Sequence, residues 1–187
     1  MKDYTITRYS FDELSEEAKE QAITTRQEQA SREDISWLIE ECLTDSLYQI
    51  LGTNSSADID LKLYFSLSYS QGDGVALEGR ITRAAAPNLS WPTGAAYGYI
   101  KHSGHYYHEQ SFTLSLCDDE GEEIEDSPIM LEELRGICRK LEREGYGIME
   151  SDQSRAVAIE YLDNNTGDDF TLEGHFKPVS EPQVARA

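Results

Sequence analysis

The sequence predicts an α+β domain on a mainly antiparallel sheet of about five to six strands with two helix pairs, ordered β-αα-ββββ-αα-β. Three observations carry this. Ile59, Leu61, Leu63, Phe65, Leu67 and Tyr69 fall on every second position, and alternation resumes after Gln71-Gly72-Asp73-Gly74. Helical spacing instead governs the apolar residues of 14–23, 35–50 and 129–141. Successive strands are joined by turn signals, without the strand–helix–strand alternation of parallel sheets.

Each element has a local reason. Tyr4–Arg8 alternates and reads as a short strand. Ser10–Ala30 reads as a helix through Leu14, Ala18, Ala22 and Ile23, with Ser15 capping its first turn and Glu16 and Glu17 at its positive end. A second helix starts near Ser31–Asp34, shows Ile35, Ile39, Leu43, Leu47 and Ile50 on one face, and stops at Gly52. A hairpin follows, with Gly72 and Gly74 in its turn and Val75, Leu77, Gly79 and Ile81 in its second strand. Residues 84–94, with Pro87, Pro92 and Gly94, form a loop. Tyr97–His102 and Tyr106–Cys117 are the next strand pair. Ser127-Pro128 opens a third helix that ends near Gly145 or Gly147. Ser151 opens a fourth, which stops near Asn164-Asn165. Phe170, Leu172 and Phe176 suggest a last strand. Residues 1–177 thus read as one domain, and 178–187 as a loose tail.

Composition sets the function classes. The 187 residues hold 36 Asp and Glu against 16 Lys and Arg, a net charge of −20, and eleven tyrosines. Such a surface repels nucleic acid and anionic membranes and is steered toward basic partners. Neither direct nucleic-acid binding nor membrane association is expected. Seven carboxylates fall within nine positions, Asp118, Asp119, Glu120, Glu122, Glu123, Glu125 and Asp126, which reads as a solvated acidic loop. Cys42, Cys117 and Cys138 form no C-x-x-C pair and argue against a disulfide framework. The first residues lack an apolar signal core, so a cytoplasmic setting is expected.

Two segments concentrate polar chemistry. Ser70-Gln71-Gly72-Asp73-Gly74 is either a plain hairpin turn or a loop whose amides, Gln71 and Asp73 bind a ligand or partner. It lacks the lysine of a phosphate-binding P-loop. His102-Ser103-Gly104-His105-Tyr106-Tyr107-His108-Glu109 holds three of the four histidines. His105 and His108 are the weak metal candidates, with Glu109 as a third donor. On an extended strand, however, those two imidazoles point to opposite faces, and a zinc site takes three or four ligands. No metal or cofactor is therefore assigned, and the segment reads as a tyrosine-rich recognition surface that includes Tyr107. Asp73 could approach His105 or His108 and form a carboxylate–histidine pair for acid–base chemistry. No nucleophile stands beside it, which favours a protein that is not an enzyme. Trp91 either anchors a partner or folds back on the sheet.

Three segments together, Tyr9–Lys19, Phe65–Gly74 and Gly104–Glu109, resemble a family of small uncharacterised proteins of bacteriophages and mobile elements. The resemblance spans roughly residues 4–176 and is most specific at Q-G-D-G and G-H-Y-Y-H-E. It implies a phage or prophage context and a role for the two loops, and it transfers no catalytic residue. The acidic 118–126 run lies outside the pattern. With the charge, it leads to the expectation of an acidic, phage-encoded protein that inhibits a host factor, such as a nucleic-acid-binding defence protein, by occupying its basic surface. The alternative is a small-ligand or metal-binding protein, or an enzyme, that uses Gln71, Asp73, His105, His108 and Glu109.

Overall fold

The computed structural model describes residues 9–53, 60–164 and 170–175. They fall into two compact units, one of 35–148 and one combining the segments before 35 and after 148. The expected strand Tyr4–Arg8 and the tail lie outside the described residues, as does Phe176.

The larger unit is a five-stranded antiparallel meander in the order β1-β2-β3-β4-β5: β1 Asp60–Ser66, β2 Gly74–Thr82, β3 Tyr97–His102, β4 Phe112–Cys117 and β5 Glu123–Ile124. The register follows from the alternation. Leu63 lies opposite Leu77, Phe65 opposite Val75, Ile100 opposite Leu114 and Leu116 opposite Ile124, so one face is predominantly apolar, with His102 opposite Phe112 at its end. Helix α2 (Ser36–Leu51) and residues 128–148 of α3 (Pro128–Asp152) are the helical part of this unit. A Cβ at Gly145 of α3 would stand 2.4 Å from Leu67, 3.5 Å from Leu43 and 3.7 Å from Ile39, so α3 and α2 meet the hairpin where no larger residue fits. Leu43, Leu47, Leu51, Leu77, Ile81, Leu116, Met130, Leu134 and Leu141 form the buried centre.

The smaller unit holds a 3-10 turn at Phe11–Glu13, α1 (Glu16–Ala30) and α4 (Arg155–Asn164). Phe11, Leu14, Ala18, Ala22, Ile23, Ala158, Leu162 and Phe170 are its core. Tyr9 and Phe170 exchange backbone hydrogen bonds at 3.2 Å as an isolated antiparallel bridge.

The α+β class and the antiparallel sheet agree with the sequence, and several boundaries differ: the first helix starts at Glu16 rather than Ser10, after a separate 3-10 turn at Phe11–Glu13, the second starts at Ser36, and the strand alternating up to Tyr69 ends at Ser66. The acidic run is not wholly loop: Glu123-Ile124 pairs with Leu116-Cys117, because Ile124 finds an apolar partner in Leu116. The strand expected from Tyr106 starts only at Phe112, because 106–111 turns on its own hydrogen bonds. Helix α3 runs through both glycines to Asp152, with Gly145 at its crowded contact. Helix α4 starts at Arg155 rather than near Ser151, capped by Ser154, whose Oγ accepts from Val157 N–H at 3.3 Å. Among the described residues, the last strand is only the bridge at Phe170, since Gly174 N–H turns back to Thr171 O at 2.9 Å.

Candidate functional site

The meander places its connections alternately at the two ends of the sheet. The β1–β2 turn and the β3–β4 connection lie at one end. The β2–β3 connection and the β4–β5 turn lie at the other. The two segments singled out in the sequence therefore share an end, while Trp91 and the acidic run share the opposite one.

Asp73 organises the first segment. Its Oδ1 accepts from the hydroxyls of Ser66 at 2.7 Å, Ser70 at 3.0 Å and Ser68 at 3.2 Å. Its Oδ2 accepts from the N–H groups of Ser68 at 2.6 Å and Ser70 at 2.7 Å, and from the Tyr146 hydroxyl of α3 at 3.3 Å. An ionised carboxylate has about four lone-pair sites, so this one is fully engaged. Burial by itself would raise its pKa, but the hydrogen bonds from Ser70, Ser66 and Ser68 outweigh that and hold it well below the usual carboxylate range. Asp73 is thus an acceptor that ties down its own loop and a poor proton acceptor at neutral pH.

Tyr69 sits between the two amides that Asp73 holds, and it takes the left-handed conformation with φ 57°. A bulky residue there is strained and persists because its surroundings fix it. Its ring packs on Tyr146 with centroids 4.6 Å apart and stays 67% exposed.

The second segment meets the first at backbone distance. Gly72 (φ 95°) lies under the Tyr106 ring, where a Cβ would come within 2.3 Å of a ring carbon. A Cβ at Gly74 would lie 3.0 Å from the Tyr107 carbonyl oxygen and 3.1 Å from His108 Cα. The 103–111 connection is closed by Ser103 N–H to Ser111 O at 2.7 Å and by the Ser111 hydroxyl to His108 O at 2.6 Å. His108 Nδ1 accepts from Gln110 N–H at 3.0 Å, which places the proton of its neutral imidazole on Nε2. Glu109 lies 4.0 Å from His108 Nδ1 and 3.9 Å from Arg139, which also pairs with Glu132 at 2.6 Å. Glu142 of α3 sits in the same neighbourhood. Burial, then the charges of Glu109 and Asp73, raise its pKa.

Tyr107 is framework. It stacks on Tyr64 at 5.4 Å with the rings 15° apart, and His102 lies 5.4 Å away. His102 Nε2 is 3.1 Å from Tyr106 O. His105 is exposed, with its ring edge-on to Tyr106 at 5.3 Å, and Gln71, which precedes Gly72 in sequence, is exposed. The exposed groups at this end thus include Ser68, Tyr69, Ser70, Gln71, His105 and Tyr106, over a support of Asp73, Tyr107, His108 and Glu109. Among the described residues, Asp73 hydrogen-bonds neither histidine, and no three His, Cys, Asp or Glu side chains are placed to hold a metal ion.

At the opposite end, the half-buried Trp91 folds back and donates from Nε1 to Ala86 O at 2.8 Å. Asp118 is not a free surface charge, since its carboxylate accepts from Glu122 N–H at 2.9 Å and closes the β4–β5 turn. Asp119, Glu120, Glu122, Glu123, Glu125 and Asp126 are exposed.

The sequence marks Tyr69 only as a strand position and Tyr106 only as part of the His102–Glu109 segment, and it does not mark Tyr146. The serines at 66, 68 and 70, spaced by two before an aspartate, are a legible sign of a hydroxyl-rich turn. Tyr146 arrives from a distant helix and has no local signature. No family model, curated protein or solved structure matches the chain.

Proposed function

We propose that this chain is a non-enzymatic interaction protein that engages a partner with a basic surface through the tyrosine- and serine-rich end of its sheet. One observation carries the reading: Asp73 locks a left-handed, exposed Tyr69 at the sheet end that also carries an exposed Tyr106 over Gly72. Rigid tyrosines among serines and glycines supply contact area at low entropic cost, the composition that antibody paratopes use. The acidic surplus speaks to the partner's charge. Exposed carboxylates on the β4–β5 turn, far along the sheet from the tyrosines, steer a basic surface toward the molecule without forming the contact. The finer reading is a phage-encoded inhibitor that covers the nucleic-acid-binding face of a host factor. It rests on the charge and on the resemblance of three segments.

The test is capture of partners from a host lysate on immobilised full-length chain, across a salt series. A basic partner is expected whose retention falls with salt and is lost with Tyr69→Ala/Tyr106→Ala. Neutralising Glu120, Glu122 and Glu123 should slow association but leave the bound state intact. Full retention by the tyrosine variant would end the proposal. The competing small-ligand or metal-binding reading uses Gln71, Asp73, His105, His108 and Glu109. It predicts a thermal shift with added metal ions or nucleotides that Gln71→Ala and His108→Ala remove.

A further inference from the structure

The two edges of the sheet are built differently. The β5 edge is two residues long and carries Glu123, and short, charged strands are how proteins protect an open edge. The β1 edge is seven residues long, Asp60–Ser66, holds no proline and, among the described residues, pairs with β2 alone. The backbone groups on its other side are a template for a further strand.

Incomplete cover of the apolar side of β1 is the second observation. Leu61, Leu63 and Phe65 are only half-buried, whereas Leu77 and Val75, which stand opposite Leu63 and Phe65 on β2, are buried. A groove of about 410 Å³ lies between α2 and β1. Leu47, Leu61 and Leu63 give it apolar walls, and Glu40, Thr44 and Tyr48 of α2 line the rest of the helix side. A strand added to β1 would place every second side chain in that groove.

We propose that the β1 edge is a dimer interface, in which the β1 strands of two copies of this chain pair antiparallel about a two-fold axis through Leu63 and join the two sheets into one. The strand is complementary to itself in that register. An axis between two residues would put the apolar face of one copy beside the outer face of the other. An axis through Lys62 would set that lysine against itself. The axis through Leu63 pairs all seven residues: Leu61 with Phe65 of the second copy and Leu63 with itself on the apolar face, Lys62 with Tyr64 and Asp60 with Ser66 on the outer one. Each Lys62 then stands between Glu78 of its own β2 and Tyr64 of the second copy. A basic strand laid on β1 would instead bring cations beside Lys62, and an acidic one carboxylates beside Asp60 and Glu40. The net −20 of each copy repels the other at long range, and salt screens that repulsion without weakening strand pairing, so the dimer tightens as salt rises. Antiparallel β1 strands point the two Tyr69–Tyr106 ends in opposite directions, which goes beyond the proposed function by making the molecule bivalent.

The test is analytical ultracentrifugation of the full chain over a concentration series at low and high salt. A monomer–dimer equilibrium is expected whose Kd falls as salt is added. Leu61→Lys places a charge on the apolar side of the edge and, by symmetry, removes two Leu61–Phe65 pairs, so it should raise Kd by about ten-fold or more. Leu63→Cys in a Cys42→Ser background should form an intermolecular disulfide on mild oxidation, because residues directly opposite in an antiparallel pair have Cα atoms about 4.5–5.5 Å apart. Tyr99→Cys, on β3 away from the edge, should not. Tyr69→Ala should leave the dimer unchanged, which separates this proposal from the proposed function. The proposal is overturned if the chain stays monomeric at every concentration and salt, if Leu61→Lys dimerises as wild type with an unchanged circular dichroism spectrum, or if a dimer forms in which Leu63→Cys does not cross-link.

Discussion

At the residue scale, Asp73 has the most consequence. Replacing it with Ala leaves Ser68 N–H and Ser70 N–H without their Asp73 acceptor and removes a side chain that holds the backbone on both sides of Tyr69. The expected cost is roughly 1–3 kcal/mol, read as a lower Tm, with loss of protection of the 68 and 70 amides in hydrogen exchange. The acid response has a definite sign. The folded pKa of Asp73 is depressed below its ordinary 3.8, so its contribution is fully present above that value and is lost only as pH falls further toward the folded value. Hydrogen exchange should therefore find this turn intact at pH about 4, near the ordinary aspartate pKa, and opening below it. Glu142 behaves oppositely. Its raised pKa means that the ionised form is disfavoured in the fold, so Glu142→Gln should raise Tm at neutral pH, with the gain vanishing as pH falls below the ordinary glutamate value. A lower Tm for that variant at neutral pH would contradict the electrostatic picture of the site.

At the scale of elements, the two connections at one end of the sheet are held as a unit by closeness rather than by side-chain bonds. A methyl group at Gly72 would meet the Tyr106 ring and would also occupy a left-handed backbone. Gly72→Ala should destabilise by roughly 1–3 kcal/mol. The double variant Gly72→Ala/Tyr106→Ala should recover part of that if the ring contact contributes, which a double-mutant thermal cycle measures. Helix α3 is the other constraint. Its Gly145 admits Leu67, and the next residue, Tyr146, reaches Asp73 and Tyr69. The glycines of α3, read from sequence as a stopping point, are thus partly a packing device.

At the scale of the whole molecule, the question is where the charge lies. Six exposed carboxylates are gathered between Asp119 and Asp126. The acidic cluster and the tyrosine-rich end occupy opposite ends of a meander whose strands run about 20 Å. They cannot act as one patch. Partner association should accordingly separate into a salt-sensitive rate set by the cluster and a salt-insensitive lifetime set by the tyrosines. Equal loss of both quantities in either variant set would refute that division.

The period of the apolar residues determined the strands, the helices and the antiparallel pairing, because alternation and helical spacing act within a few residues. The turn residues likewise placed Ser15, Gly52 and Ser127-Pro128 at element ends, since caps are local hydrogen-bond chemistry. Only the tertiary structure decided that Q-G-D-G lies against the Tyr106–His108 backbone, that Asp73 faces serines and Tyr146 rather than histidine, and that the acidic run points away from both. Those outcomes depend on strand order and on a helix arriving from more than seventy residues away, and no window of sequence contains both partners.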